Sequence, residues 1–216
     1  MIKKYSYILF IPLISVLSLS FLLIPQVYAA RGIAVNANDS LNNERRIALV
    51  IGNSAYKSSP LRNPVNDATD MAAKLRGLGF QVSLGKDWSR KEMRTAIRKF
   101  GNELKRGGVG LFYYAGHGMQ VNGKNFLIPV GTDIQSEFEV EDEAVDAGLV
   151  LRNMESAGNT MNMVFLDACR NNPFARSFRS SFKGLAQMDA PSGSLIVYST
   201  APGSIAAEGS VILQTR

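Results

Sequence analysis

The chain holds one cysteine, one histidine and one tryptophan in 216 residues. A lone cysteine excludes an intramolecular disulfide. One histidine and one cysteine fall short of the three or four protein ligands that zinc requires, unless carboxylates complete the set. There is no long block of Lys and Arg, and no aromatic residues are interleaved with one, so nucleic-acid binding has little support. No G-x-S-x-G elbow is present, which argues against a serine hydrolase of that type. No internal repeat is visible. With 46% hydrophobic and 19% charged residues, what is there is an ordinary globular composition, enough for one sizeable core.

The first thirty residues stand apart from that core. Lys3 and Lys4 precede an almost unbroken apolar run from Tyr5 to Ile24, followed by Val27-Tyr28-Ala29-Ala30. A short basic start, an apolar centre and small residues at minus three and minus one describe a secretory signal peptide over residues 1–29, cleaved after Ala29. The alternative is an uncleaved membrane anchor over residues 5–24, since the run approaches bilayer-spanning length. The expected location is therefore periplasmic or secreted, or else membrane-anchored. Removing residues 1–29 takes away two lysines and no acids, so the formal charge falls from +6 to +4. An unpaired thiol in a compartment where disulfides form asks for an explanation.

Residues 30–44 are polar, rich in Asn and aperiodic, as a linker would be. A single domain is expected over 45–216. Short apolar runs then alternate with amphipathic stretches. Strands are expected at Arg46–Gly52, Phe80–Leu84, Val109–Tyr114, Asn125–Pro129, Asn162–Leu166 and Ser194–Tyr198. Helices are expected at Asn66–Leu78, from an N-cap at Ser89 to about Arg106, and at Ala144–Ser156. This alternation predicts an α/β layer structure with a mostly parallel sheet covered on both faces. In such a sheet, ligands bind beyond the carboxyl ends of the strands.

Two of these strands lead into the sole histidine and the sole cysteine. VGLFYYAGHG places His117 just past one strand end, and NMVFLDAC places Cys169 just past another. If the strands are parallel neighbours, the two residues converge. The thiolate is the nucleophilic form of cysteine, and an imidazole with a pKa near ~6.5 is suited to take the thiol proton and return it to a leaving amine. Gly116 and Gly118 let the backbone bend and approach a substrate closely. The backbone N–H groups of Gly118 and Cys169 could face a developing oxyanion. Taken singly, Cys169 also fits a buried structural thiol, and His117 a turn histidine with a satisfied hydrogen bond.

The motif YYAGHG, 52 residues ahead of LDACR, resembles the histidine and cysteine motifs of the caspase-like cysteine peptidases, the caspase and metacaspase p20-type domains of peptidase family C14. Asp167-Ala168-Cys169-Arg170, the opening RIALVIGNSAY, the segment LRNPVNDA and the late SLIVYSTAPG are closer to bacterial metacaspase-like proteins than to animal caspases. The similarity runs from about residue 45 to 207.

The resemblance implies a caspase/hemoglobinase-like three-layer sandwich and amide hydrolysis through a thioester acyl-enzyme on a peptide or protein substrate. His117 would be general base and acid, Cys169 the nucleophile, and the N–H groups of Gly118 and Cys169 the oxyanion donors. Asp67 and Asp167 match positions that form an acidic pocket for arginine or lysine in metacaspase-type enzymes, which fits the strong pairing of carboxylates with guanidinium groups. Their structural alternatives are a helix N-terminus for Asp67 and a local turn for Asp167. Cleavage in the segment between the cysteine and the last strand accompanies activation in similar enzymes, and here that segment carries Arg170, Arg176, Arg179 and Lys183. No cofactor is expected. Calcium is an open alternative, raised by Glu137, Glu139, Glu141, Asp142, Glu143 and Asp146, although their spacing is that of no defined calcium loop and the short MQVNGKNF replaces the acidic insertion of calcium-dependent relatives.

The departure from the family pattern is at the end, where sixteen residues follow Thr200 while similar domains continue with further helices and a strand. A shortened domain leaves a second class of function open: a catalytically inactive caspase-like module that binds peptides or proteins.

Overall fold

The computed structural model describes residues 44–169, 174, 185–199 and 212–215, with Cys169 and 212–215 described by their backbone. The expected signal peptide or anchor, the linker up to residue 43, the basic stretch carrying Arg170, Arg176, Arg179 and Lys183, and residues 200–211 lie outside the described residues. All the described residues belong to one compact unit, Leu41–Arg216.

The first strand, β1 (Arg46–Gly52), is buried from Ile47 onward. A run of β-branched and aliphatic residues with no polar alternation is what a strand covered on both faces requires. Helix α1 (Pro64–Gly77) starts two residues earlier than expected, with Pro64 in its first turn. Proline's fixed φ suits that position, and its missing N–H would have had no helical partner. Its inner stripe, Ala68, Ala72 and Leu75, is buried. A Cβ on Gly52 would overlap the Pro64 carbonyl, so glycine at the end of β1 is what lets the start of α1 sit so close.

After β2 (Gln81–Lys86), Ser89 and Glu92 form a capping box that starts α2 (Arg90–Leu104). The Ser89 backbone N–H and hydroxyl both donate to Glu92 Oε2, at 2.8 and 2.6 Å. A cap of this kind is worth about 1 kcal/mol. Met93, Ile97, Phe100 and Leu104 form the buried stripe of α2.

The following strand departs from expectation. β3 runs from Val109 to Val121, not to Tyr114, so His117 lies inside a strand and not beyond its end. The glycine-flanked AGHGMQV reads as a loop in sequence, but it remains extended because a second partner takes over: residues Gly118–Val121 pair antiparallel with β4 (Lys124–Leu127). β4 in turn pairs with β5 (Val145–Asp146). Between them lie a 3-10 turn (Glu137–Glu139) and the short α3 (Val140–Glu143). α4 (Ala147–Ala157) is capped by Asp146, which accepts from the Gly148 N–H at 2.8 Å, and it ends at Gly158 in the left-handed conformation. β6 (Met161–Cys169), β7 (Ser194–Tyr198) and β8 (Ile212–Thr215) complete the chain, the last being a strand the sequence did not announce.

The main sheet has the order β2-β1-β3-β6-β7-β8. Its first five strands are parallel and β8 is antiparallel. The expected mostly parallel α/β sandwich is what forms. One face packs under α2 and α4 through Leu49, Ile51, Phe112, Tyr114, Val164 and Leu166. The other carries Ala48, Val50, Leu111, Tyr113 and Ala115 under α1. The chain reverses direction across the sheet at β1, with β2 on one side and β3 on the other, so the carboxyl ends of β1 and β3 open the crevice in which such sheets bind ligands. Among the described residues, no helix is long and apolar enough to cross a membrane.

Candidate active site

β3 and β6 are parallel neighbours, and their register pairs Gly116 with Ala168 and His117 with Cys169. Strands in a sheet lie about 4.8 Å apart, so this pairing brings the backbones at the sole histidine and the sole cysteine side by side. β6 ends at Cys169, whereas β3 continues.

The imidazole is 2% exposed. Its Nε2 lies 2.7 Å from the carbonyl oxygen of Ser59. A carbonyl can only accept, so the proton of the neutral ring sits on Nε2 and the lone pair on Nδ1. Nδ1 is buried and has no hydrogen-bond partner among the described residues. Burial pulls the His117 pKa below the usual imidazole range, and the Ser59 bond only partly opposes this. The arrangement is that of a neutral imidazole with one nitrogen held and the other available to take a proton.

The loop after β1 does the holding. The Tyr56 ring packs on His117 with centroids 4.5 Å apart and planes at 55°. The His117 N–H donates to Tyr56 Oη at 3.0 Å, and Tyr56 Oη donates to the Ile128 carbonyl at 3.0 Å. Tyr114 Oη lies 3.2 Å from Tyr56 Oη and reaches the carbonyls of His117 (2.8 Å) and Ile128 (3.0 Å). Buried Asn53 adds a third donor to the Ile128 carbonyl at 3.3 Å and accepts from the Trp88 N–H at 2.9 Å. Burial pushes the Tyr56 hydroxyl up to about 12, so it stays protonated and keeps its role as donor. Gly116 makes room for this pair: a Cβ there would lie 2.7 Å from both tyrosine oxygens. The loop is itself fastened by Asp87, whose Oδ1 accepts from the N–H groups of Ser54 (2.7 Å) and Ala55 (2.9 Å).

Gly118 pairs with Leu127, and the Ile128 N–H donates to the His117 carbonyl at 3.0 Å. That bond makes Gly118 and Leu127 a non-hydrogen-bonded pair, so β4 does not take the Gly118 N–H.

The two acids named from the sequence come from different elements, near enough for their charges to act on each other. Asp67 is in the first turn of α1, and Asp167 lies on β6 opposite Ala115 of β3. Partial burial raises the Asp67 pKa, with the charges of Asp167 and then Asp70 adding to the effect. Buried Tyr113 donates to Asp167 Oδ2 at 3.3 Å. The ion pairs formed among the described residues involve neither acid.

Three of the six acids considered for calcium have structural tasks. Glu139 accepts from Ser136 and the Gln135 N–H, Glu141 pairs with Lys124, and Asp146 caps α4 and pairs with Arg152. Among the described residues, no three of His, Cys, Asp or Glu gather as a metal site would need.

The wider clefts lie elsewhere. One of about 490 Å³ is lined by Arg90, Lys91, Arg94 and Thr132, and one of about 670 Å³ by Trp88, Thr95 and Ala96. Neither touches His117, and the chemistry sits where the strand ends place it.

With this geometry in place, the chain matches the family model of the caspase domain, peptidase family C14, over residues 45–214. The chain belongs to that family. Among curated proteins, this caspase domain is similar to the human mucosa-associated lymphoid tissue lymphoma translocation protein 1, at 35% identity over 126 residues. The mouse homolog gives 34% over the same length. Each match takes in 58% of this chain and 15% of the relative, so the caspase domain spans a small part of the curated relatives it resembles. Among solved structures, a protein of Geobacter sulfurreducens aligns at 22% identity with a TM-score of 0.46, over 58% of this chain and 50% of that one.

The sequence had named His117, Cys169, Gly118, Asp67 and Asp167. It had not named Ser59, Tyr56, Tyr114, Asn53 or Tyr113. Ser59 acts through its carbonyl, which no side-chain pattern reveals. Tyr113 and Tyr114 lay within an expected strand and Tyr56 just after another, and nothing in the pattern marked their hydroxyls.

Proposed function

We propose that this caspase domain is a cysteine endopeptidase that cleaves after arginine or lysine, with His117 and Cys169 as its dyad. The observation that carries the reading is the register pairing of the two residues beside an imidazole whose Nδ1 has no partner among the described residues. In the proposed reaction Nδ1 accepts the Cys169 thiol proton as sulfur adds to the scissile carbonyl carbon. The C–N bond then breaks as the imidazolium returns that proton to the leaving amine. Water, deprotonated by Nδ1, adds to the thioester, and the thiol leaves with the proton restored. The N–H groups of Gly118 and Cys169 are the proposed oxyanion donors, supported for Gly118 by its absence from the β3–β4 bonds. Asp67 and Asp167, whose charges act on each other and which take part in none of the described ion pairs, are the proposed acceptors of the basic side chain. The peptide or protein substrate is the only partner proposed. No cofactor takes part, and export to the periplasm or beyond remains the proposed location on the strength of residues 1–29.

The test is cleavage of peptides carrying Arg, Lys or Asp before the scissile bond by the purified protein, with and without calcium, beside Cys169→Ala. Cleavage after Arg and Lys that Cys169→Ala abolishes is expected. Activity surviving the substitution would overturn the dyad. A folded protein that binds the peptides and cuts none would make the domain a binding module.

A further inference from the structure

The acidic pair has a third member on the strand beside it. Tyr113 is 6% exposed and packs under α1 with Ala68 and Ala72. It stands opposite Phe165, two positions before the Ala115–Asp167 pair, so it is the diagonal neighbour of Asp167 across the ladder. Its hydroxyl donates to Asp167 Oδ2 at 3.3 Å. Burial first, and then the charges of Asp167 and Asp67, push the pKa of that hydroxyl well above the ordinary phenol value. The hydroxyl therefore stays protonated, bonded to Asp167 of β6 and within the field of Asp67 of α1.

Resting on the acidic-pocket reading above, we propose that Tyr113 is the positioning residue that sets specificity for a basic side chain, by holding Asp167 through Oδ2 and leaving Oδ1 to the substrate. With one oxygen engaged, Asp167 cannot rotate to turn the same edge to solvent, and its free oxygen keeps one orientation. The substrate cation then meets one oxygen from β6 and the Asp67 carboxylate from α1. A guanidinium suits two acceptors on separate elements, because its five N–H donors lie in one rigid plane. A phenylalanine would fill the same space under α1 and leave Asp167 without its tether. Phe112 and Tyr114 cannot substitute, because strand alternation puts them on the opposite face, under α2 and α4.

The experiment measures peptide binding by the full chain carrying Cys169→Ala, so that affinity is read without turnover. Two peptides identical except for arginine or citrulline at the recognised position are titrated calorimetrically. Citrulline keeps the shape and removes the charge. Tyr113→Phe is expected to lower the arginine-to-citrulline affinity ratio roughly tenfold, as for loss of a hydrogen bond to a charged group. Thermal unfolding checks that the variant is folded, and Tyr113→Met repeats the comparison if it is not. A merely structural role would weaken both peptides alike and leave the ratio unchanged. An unchanged ratio in the Tyr113 variant, with the ratio lost in Asp167→Asn, would overturn the role of Tyr113 and leave the pocket standing. A ratio near one before any pocket residue is changed, or one that survives both Asp67→Asn and Asp167→Asn, would overturn the pocket and Tyr113 with it.

Discussion

His117 Nε2 lies 2.7 Å from the Ser59 carbonyl oxygen, and this one contact fixes which nitrogen of the imidazole carries its proton. It ties the loop after β1 to the strand pair β3–β6 and leaves Nδ1 as the basic nitrogen. The chemical proposal depends on that assignment more than on any other distance.

Because burial lowers the His117 pKa below its unfolded value near 6.5, the folded state binds fewer protons than the unfolded state as pH falls through that value. The stability contributed by the neutral imidazole is complete above pH 6.5 and is lost as pH falls toward the lowered pKa. Urea midpoints taken from pH 7.5 down to 5 are expected to fall more steeply for the unaltered protein than for His117→Gln. Parallel curves would contradict this. The chain has one histidine, so the imidazole proton signal of untagged protein should titrate below 6.5 without ambiguity.

Tyr56→Phe keeps the ring against His117 and removes the oxygen that accepts the His117 N–H. A buried donor left unsatisfied costs about 1–3 kcal/mol. A urea midpoint lowered by that amount at constant m value is expected, together with a fall in kcat that exceeds any change in KM. A variant as stable and active as its parent would remove Tyr56 from the account.

Asp87 sits at a positive φ of 51° and fastens the loop that carries both Tyr56 and Ser59. Asp87→Ala loses two bonds to backbone N–H groups and is placed in a conformation alanine resists, which together should cost about 1–3 kcal/mol. Asp87→Asn keeps an acceptor and tolerates that conformation, so it should lose less. Denaturant unfolding of the two variants is the check, with the order Ala below Asn as the expected result.

Asp67→Asn should separate stability from binding. The raised pKa of Asp67 means that its stabilising, protonated form is complete below about pH 3.8 and is lost as pH rises through the folded value, so at pH 7 the charge opposes folding. Asparagine should raise the melting temperature slightly at pH 7, within the ~0–1 kcal/mol typical of exposed charges, while weakening arginine peptides. Calorimetric melting and peptide titration of the same sample decide it. A destabilised variant that binds as before would contradict both halves.

The central strands were legible because β1, β3, β6 and β7 are apolar runs of a kind that only a doubly covered sheet accommodates. The convergence of His117 and Cys169 followed from their like placement on two such strands. The far half of β3 was not legible, since Gly116 and Gly118 are the residues of a loop until β4 supplies a partner. β8 escaped for a similar reason: ILQT has neither a strand's alternation nor a strand's length, and it is a strand because β7 lies beside it. Asp67 and Asp167 came only from family resemblance, because no local pattern links a helix start to a strand end 100 residues away. The tyrosine and carbonyl contacts around His117 are long-range and involve main-chain atoms, so they became visible only in three dimensions.

The most direct test of the dyad is the pH profile of alkylation at the single cysteine, compared between the unaltered protein and His117→Ala. One thiol per chain makes the reaction stoichiometric and its site certain. Assistance by His117 Nδ1 predicts rapid alkylation of Cys169 by iodoacetamide at pH 7, slowed at least tenfold in His117→Ala and recovering only toward the ordinary thiol pKa near ~8.5. Superimposable profiles for the two proteins would contradict the account.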